Sequence, residues 1–225
     1  MTEFTCQYCN KRFTKDSTFN SHICEAKRRH SEKHERGVQI GYQAFLRFYE
    51  ITQGSAKLKT HDDFIKSPYY RAFVKFGKHV IGIRAVNPMA FAEWLLKNNK
   101  KIDYWTKDVF YEEFLAQYLK AESIDSALSR ALEYSIDWAN QHCMQSQDVL
   151  RYGNSNALVY AVTTGRISPW VLYNCESGQK FLDTLHQEHL RLAMPWLDPE
   201  FWQKKFHDLP ADKEYMKEML SRAGW

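Results

Sequence analysis

Apolar side chains recur every three or four positions along most of the chain beyond residue 37, which is the spacing of one buried helix face. The clearest apolar stripes are Tyr42/Phe45/Leu46/Tyr49, Tyr70/Phe73/Val74/Gly77/Ile81, Phe110/Tyr111/Phe114/Leu115/Tyr118/Leu119 and Ala127/Leu128/Ala131/Leu132/Ile136/Ala139. Residue types that begin helices occur at Thr60, Asn87-Pro88, Ser168-Pro169 and Asp198-Pro199. The pattern predicts an all-α domain over residues 38–225.

The chain before residue 38 carries three of the five cysteines. Two residues separate Cys6 from Cys9, and twelve separate Cys9 from His22. The short spacing lets one tight turn present two thiolates to a tetrahedral zinc ion, and Phe13 and Phe19 can form a miniature apolar core. Bound metal is the main source of folding energy in so small a unit. We therefore predict a ββα-like zinc finger over residues 1–26, so that the whole chain is mainly α.

The fourth ligand departs from the usual spacing of such fingers. A second ligand normally follows the first histidine after three to five intervening residues, but positions 26–28 offer only Ala, Lys and Arg. We favour Cys24, because thiolate is the better zinc ligand and the helix can unwind after His22. His30 is the alternative, although seven residues separate it from His22.

Composition restricts the class of protein. Hydrophobic residues make up 44% and charged residues 26% of the 225 positions, which is enough apolar material for a core and excludes a mainly disordered chain. The longest apolar stretches, such as 157–162, are far shorter than a membrane helix, and the first ten residues do not resemble a signal peptide. We expect a cytoplasmic protein without membrane contact.

The N-terminal segment is also the most basic part of the chain. Residues 1–37 contain eight Lys/Arg and five Asp/Glu, a surplus of +3 within a net charge of +4. Such a surface favours nucleic-acid phosphates. The predicted contacts lie on the finger and on a connector over residues 27–37, and they are Lys15, Lys27, Arg28, Arg29, Lys33 and Arg36. A solvated, salt-bridged helix explains the charges equally well, because Glu25, Glu32 and Glu35 dilute them.

Sequence-specific reading by the finger is not expected. By register from Phe13 and His22, its base-contacting positions are Lys15, Thr18 and Ser21. None of the three provides the bidentate arginine–guanine or asparagine–adenine pairing that discriminates bases strongly. One finger also covers only about three base pairs.

Other clusters of reactive residue types do not predict an active site. His61-Asp62-Asp63 lies at a helix start and favours capping over metal binding. Cys175 lies near His186 and His189 in sequence, but no orienting group or oxyanion donor is indicated. We expect Cys143 and Cys175 to be reduced core thiols, and we expect a non-enzymatic protein. Among the aromatic residues, Tyr104 and Trp105 are the pair most suited to stack on bases, because they follow the basic run 97–101.

The segment Phe4 to Cys24 resembles the Cys2His2 zinc-finger superfamily, or its Cys2HisCys variant if Cys24 is the fourth ligand. The single finger fused to a Trp- and Tyr-rich helical body resembles zinc-finger proteins of T4-like tailed phages. The segments 91–98 and 166–168 are similar to the helicase-loading protein of those phages, an all-helical protein that binds forked DNA and recruits the replicative helicase.

These resemblances imply a zinc-binding accessory protein in phage replication or transcription. Duplex, single-stranded or forked DNA would be its partner, together with a phage or host replication or transcription protein, in the host cytoplasm. The alternative is an adaptor in which the finger and the helical body bind host or phage machinery.

Overall fold

The computed structural model describes residues 3–54 and 59–225 and confirms the mainly α fold with a small N-terminal strand pair. The chain divides into two compact units, Met1–Tyr111 and Glu112–Trp225. The predicted finger and connector belong to the first unit. The helices predicted as one domain over 38–225 are divided between the two units.

The first unit contains the strand pair and a group of helices that follow it. Its elements are β1 (Phe4–Thr5), β2 (Arg12–Phe13), α1 (Asp16–Asn20), α2 (Glu25–Ser31), α3 (Arg36–Gln53), α4 (His61–Lys66), α5 (Tyr70–Gly82), α6 (Pro88–Lys97) and the first residues of α7 (Asp108–Ala121). Short 3-10 turns occur at Glu32–His34 and Ile102–Tyr104.

Helices α3 and α5 pack closely because glycines line their contact. A Cβ atom added at Gly77 would overlap the carbonyl oxygen of Gly37 and lie 2.8 Å from the amide nitrogen of Gly41. Phe45, Phe73 and other fully buried aromatic rings fill the space beside these helices. The ring centroids of Phe45 and Phe73 lie 5.6 Å apart in an edge-to-face arrangement that aromatic pairs favour.

The second unit is helical throughout. After α7 it comprises α8 (Ile124–His142), α9 (Val149–Tyr152), α10 (Ser155–Thr163), α11 (Pro169–Asn174), α12 (Glu176–Asp183), α13 (Gln187–Leu197), α14 (Pro199–Asp208) and α15 (Pro210–Arg222), with a 3-10 turn at Ser146–Asp148. Trp170 and Trp202 are fully buried at its centre, with ring centroids 5.9 Å apart.

Local capping signals predicted the helix starts well. Thr60 and Asp63 form a reciprocal capping box, and the side chains of Asn87, Ser168 and Asp198 accept hydrogen bonds from the first turns of α6, α11 and α14. One predicted core position is wrong, since Ile136 is 52% exposed. Among the described helices, none has both the length and the apolar character that a membrane-spanning segment needs.

Candidate metal centre

A tight turn between β1 and β2 carries the first two cysteines. The Cys6 amide donates a hydrogen bond to the Lys11 carbonyl at 2.9 Å, and the Asn10 amide donates one to the Cys6 carbonyl at 2.8 Å. Asn10 has a φ of 56°, a left-handed conformation that asparagine adopts more readily than most residues. The turn brings the thiols of Cys6 and Cys9 into one cluster.

Three phenylalanines form the small apolar core that supports this cluster. Phe4 pairs with Phe13 across the two strands, and both rings contact Phe19 of α1, with centroids 5.6 and 5.9 Å from it. The Phe13 ring also lies 4.7 Å from the His22 ring. The predicted core role of Phe13 and Phe19 is confirmed, and it explains how His22 is held beside the cysteines.

Four side chains converge to form the candidate centre. The ligand atoms of Cys6, Cys9, His22 and Cys24 all lie within 4.8 Å of one another. The Sγ atoms of Cys6 and Cys24 are 4.0 Å apart, and the Cys9 Sγ lies 3.3 Å from the His22 Nε2. A tetrahedral zinc ion with Zn–S bonds of ~2.3 Å holds two sulfurs about 3.8 Å apart, so the spacing fits. These four residues can hold a metal ion.

Cys24 reaches the cluster because the helical path is interrupted before it. Residues 21–24 separate α1 from α2, and Cys24 is the N-cap residue of α2. Its thiol accepts a hydrogen bond from the Lys27 amide at 3.3 Å. His30, the alternative ligand, is outside the four-residue cluster and instead lies beside Tyr8, with ring centroids 5.1 Å apart.

The electrostatic environment favours a cation among the thiols. Burial opposes the Cys6 thiolate, but backbone amides of Tyr8 and Cys9 stabilise it and lower the pKa of Cys6. The Lys11 amide acts in the same direction on Cys9, yet burial and the neighbouring thiols of Cys6 and Cys24 outweigh it and raise the pKa of Cys9. Several thiolates at this spacing repel one another, so a bound cation is needed to ionise them together.

The six predicted nucleic-acid contacts lie in different environments, and Arg29 is largely buried. Its Nη1 donates a hydrogen bond to the Ile65 carbonyl at 2.6 Å, and its Nη2 lies 2.7 Å from the Glu25 carboxylate. Its guanidinium lies 4.4 Å from the centroid of the Tyr70 ring. Only 15% of the side chain is exposed. Arg29 therefore holds α2 against α4 and α5, and its charge is already engaged.

The acidic residues of this region are also engaged. Their ion pairs are Glu25–Arg29 at 2.7 Å, Glu25–Arg71 at 2.8 Å, Glu32–Arg28 at 3.9 Å and Glu35–Lys78 at 3.5 Å. Hydrogen bonds from Arg29 and Arg71 lower the pKa of Glu25. The acids predicted to dilute the positive charge thus have basic partners of their own, two of which lie on α5.

The remaining cations are less constrained. Within the described part of the chain, Lys15, Lys33 and Arg36 have no acidic side chain within ion-pair distance, and Lys15 and Arg36 are exposed. Arg28 is 54% exposed and makes only the long ion pair to Glu32. Lys27 donates a hydrogen bond to the His22 carbonyl at 3.2 Å.

The structure corrects two sequence-based expectations outside the finger. Trp105 is fully buried and its indole nitrogen donates a hydrogen bond to the Lys100 carbonyl, so it cannot stack on a base, whereas Tyr104 is 47% exposed. Cys143 is exposed at the end of α8, where it adopts a left-handed φ of 54°, so it is not a core thiol.

Cys175 is buried, as predicted. Its thiol accepts a hydrogen bond from the Gly178 amide at 3.3 Å, and burial raises its pKa. The neighbouring histidine in sequence, His189, is hydrogen-bonded to Asn156 at 2.7 Å.

The anchoring partners of Arg29 were not identified from the sequence. The Ile65 carbonyl lies 36 positions further along the chain, and a backbone carbonyl has no residue-specific signal. The sequence placed Tyr70 in an apolar helix stripe and did not indicate a contact with Arg29.

Comparisons of the chain with protein-family models, curated proteins and solved structures find no match. The function of the chain is therefore inferred from its ligand cluster, its ion pairs and its exposed cations.

Proposed function

We propose that the protein is a zinc-binding, non-enzymatic accessory protein that binds the phosphate backbone of nucleic acid with the basic side chains of its finger and connector. The donor set supports zinc, because three thiolates and one imidazole suit this ion and do not suit magnesium or calcium. Cys6, Cys9, His22 and Cys24 would hold it. The bound ion supplies folding energy to the short segment 4–24, whose two strands contain only two residues each.

One observation carries the nucleic-acid part of the proposal. The nearby acids are paired with Arg28, Arg29, Arg71 and Lys78, while Lys15, Lys33 and Arg36 keep no acidic partner among the described residues. Exposed cations without intramolecular partners gain most from phosphate contacts, because binding them releases counterions from the nucleic acid.

The finger's geometry supports backbone contact over base reading. Helix α1 contains only five residues, Asp16–Asn20, so it is less than two turns long. Ser21 lies beyond its end and its hydroxyl donates a hydrogen bond to the Thr18 carbonyl at 3.3 Å. Two of the three base-contacting positions are therefore short hydroxyl side chains, and one of them, Ser21, is bonded locally. A role in phage replication or transcription, which the sequence resemblances suggest, stays a prediction.

Fluorescence anisotropy with labelled duplex, single-stranded and forked DNA tests the proposal. The zinc-loaded full-length protein is compared with a variant carrying Lys15→Gln, Lys33→Gln and Arg36→Gln. A matched control removes three exposed cations of the second unit through Arg151→Gln, Arg191→Gln and Lys204→Gln. We expect the first variant to bind at least tenfold more weakly than the control variant, since each phosphate contact contributes separately. Equal affinities of the two variants would contradict the proposal.

A second candidate function, the protein adaptor, is supported by one exposed apolar side chain. Ile23 lies between His22 and Cys24 and is 76% exposed. An apolar residue displayed beside a metal centre is suited to the core of a protein interface. Binding to a protein partner that persists at high salt and is lost on Ile23→Ser would favour the adaptor, whereas DNA binding unaffected by Ile23→Ser would favour the primary proposal.

A further inference from the structure

A groove of about 430 Å³ lies beside the connector, within the first unit. Lys33 and His34 of the 3-10 turn form one side, and His61, the first residue of α4, forms another. The third side is a face of α3 that includes Tyr42. The volume is within the range of about 300–1,000 Å³ that small-ligand sites occupy.

Three basic side chains, Lys33, His34 and His61, line this groove. Burial lowers the pKa of His61, and nearby His30, Lys33 and His34 lower it further, while Asp62 acts in the opposite direction. Of the described residues that line the groove, none is acidic. A bound phosphate would compensate the cations that now disfavour a charged His61.

The α3 face of the groove provides an aromatic ring and two side-chain amides in place of basic groups. Tyr42 and Gln43 follow Gln39 by three and four positions, so all three side chains share one face of the helix. The Tyr42 ring lies 5.1 Å from the His61 ring, and its hydroxyl donates a hydrogen bond to the Lys59 carbonyl at 3.4 Å. An aromatic ring can stack on a base, and the glutamine amides can both donate to and accept from a base edge.

Resting on the proposed nucleic-acid function, we infer that this groove holds one nucleotide of a single-stranded nucleic acid. The base lies against Tyr42 within reach of the Gln39 and Gln43 amides, and the phosphate lies at Lys33, His34 and His61. This single-strand site continues the basic surface of the connector, because Lys33 belongs to both. It explains why aromatic, amide and cationic side chains are gathered in one groove, which phosphate binding alone does not require.

Photocrosslinking locates the base directly. A single-stranded oligonucleotide with one 5-iodouracil is irradiated with the zinc-loaded full-length protein, and the labelled peptide is identified by mass spectrometry. We expect the crosslink at Tyr42 or His61. Crosslinks confined to other residues, at concentrations where the oligonucleotide is bound, would overturn the inference.

Affinity measurements with matched variants give a second readout. Gln43→Ala and the pair Lys33→Gln/His61→Gln should each weaken binding of the single-stranded oligonucleotide, by about threefold and at least about fivefold, because a base contact or phosphate contacts are lost. Gln203→Ala and Lys66→Gln, which change exposed residues outside the groove, serve as controls and should leave the affinity unchanged. Gln43 is exposed on α3, so its variant should fold normally even if the paired variant does not.

The outcomes separate this inference from the function on which it rests. If the oligonucleotide binds but Gln43→Ala and Lys33→Gln/His61→Gln behave like their controls, the groove is not the site and the proposed function stands. If the unmodified protein binds no nucleic acid, both the groove and the proposed function fail. If inorganic phosphate competes as well as a nucleoside monophosphate does, the base has no place in the groove and the inference is overturned.

Discussion

The Nη1 of Arg29 lies 2.6 Å from the backbone carbonyl oxygen of Ile65, and this contact joins the segment after the metal centre to helix α4. The same guanidinium lies over the Tyr70 ring of α5. Adjacent arginines therefore have different roles, since Arg28 is 54% exposed and Arg29 only 15%. The finger is attached to its helices by a side chain that sequence alone assigned to nucleic acid.

The first prediction separates these two arginines. Arg29→Ala should lower the free energy of unfolding by about 2 kcal/mol, because it leaves the Ile65 carbonyl without its charged donor and removes the packing on Tyr70. Arg28→Ala should cost less than about 0.5 kcal/mol, since exposed ion pairs contribute little. Urea denaturation of both variants, zinc-loaded, measures the difference. Equal losses would show that Arg29 does not anchor the finger.

The second prediction concerns the fourth metal ligand. Cys24→Ser should weaken zinc binding by at least about 100-fold, because a ligand in the four-residue cluster is lost. His30→Gln is the matched control and should bind zinc like the unchanged protein. Competition with a metal-sensitive dye gives the affinities, and cobalt absorption spectra show how many thiolates bind. A loss of zinc affinity in His30→Gln but not in Cys24→Ser would show that His30, and not Cys24, is the fourth ligand.

The third prediction tests the close packing of α3 and α5. Gly77→Ala should destabilise the protein by about 3 kcal/mol, because the new Cβ would overlap the Gly37 carbonyl and the helices must separate. Gly82→Ala, in the same helix, meets no atom within 4 Å and should be neutral or stabilising by up to about 1 kcal/mol. Thermal unfolding followed by circular dichroism compares them. A neutral Gly77→Ala would mean that the glycines do not set the helix separation.

The fourth prediction is a dependence of stability on pH. Burial lowers the pKa of His79 below its ordinary 6.5, with Lys75 acting in the same direction and Asp108 opposing. The folded state therefore prefers neutral His79, so its contribution to stability is complete above pH 6.5 and is lost as pH falls through the lowered value. His79→Gln should reduce the decline in stability between pH 7 and 5, whereas His207→Gln, at an exposed position, should not.

As the pH falls, protons also compete with zinc for its ligands. This effect is the same in every variant, so it cancels when the variants are compared. Urea denaturation at several pH values gives the slopes. A His79→Gln variant whose stability declines as steeply as that of the unchanged protein would contradict the prediction.

The features that could be predicted from the sequence depend on neighbouring residues. The spacing of Cys6, Cys9 and His22 follows from the turn that two cysteines need, and Thr60 could be identified because its capping partner Asp63 is three residues away. Cys24 was favoured by its chemistry, and the interruption after α1 is the local event that places it in the cluster.

The features that could not be predicted depend on distant contacts. The burial of Arg29 requires α4 and α5, and the burial of Trp105 requires Phe73 and Phe76, whose rings lie 5.8 and 5.3 Å from it. Because Trp105 follows a short 3-10 turn, it belongs to no helical stripe and its periodicity gave no signal. Hydrophobic spacing likewise predicted that Ile136 is buried, whereas it is exposed and Tyr134 and Trp138, two positions to either side of it, are buried.

The most direct test of the account is the salt dependence of single-stranded DNA binding by the zinc-loaded full-length protein. We predict a linear fall of log affinity with log salt concentration, with a slope that becomes shallower by about 2 when Lys15, Lys33 and Arg36 are replaced by glutamine, since each lost phosphate contact changes the slope by about 0.7. A slope near zero, or one that these replacements leave unchanged, would contradict the claim that this basic surface binds nucleic acid.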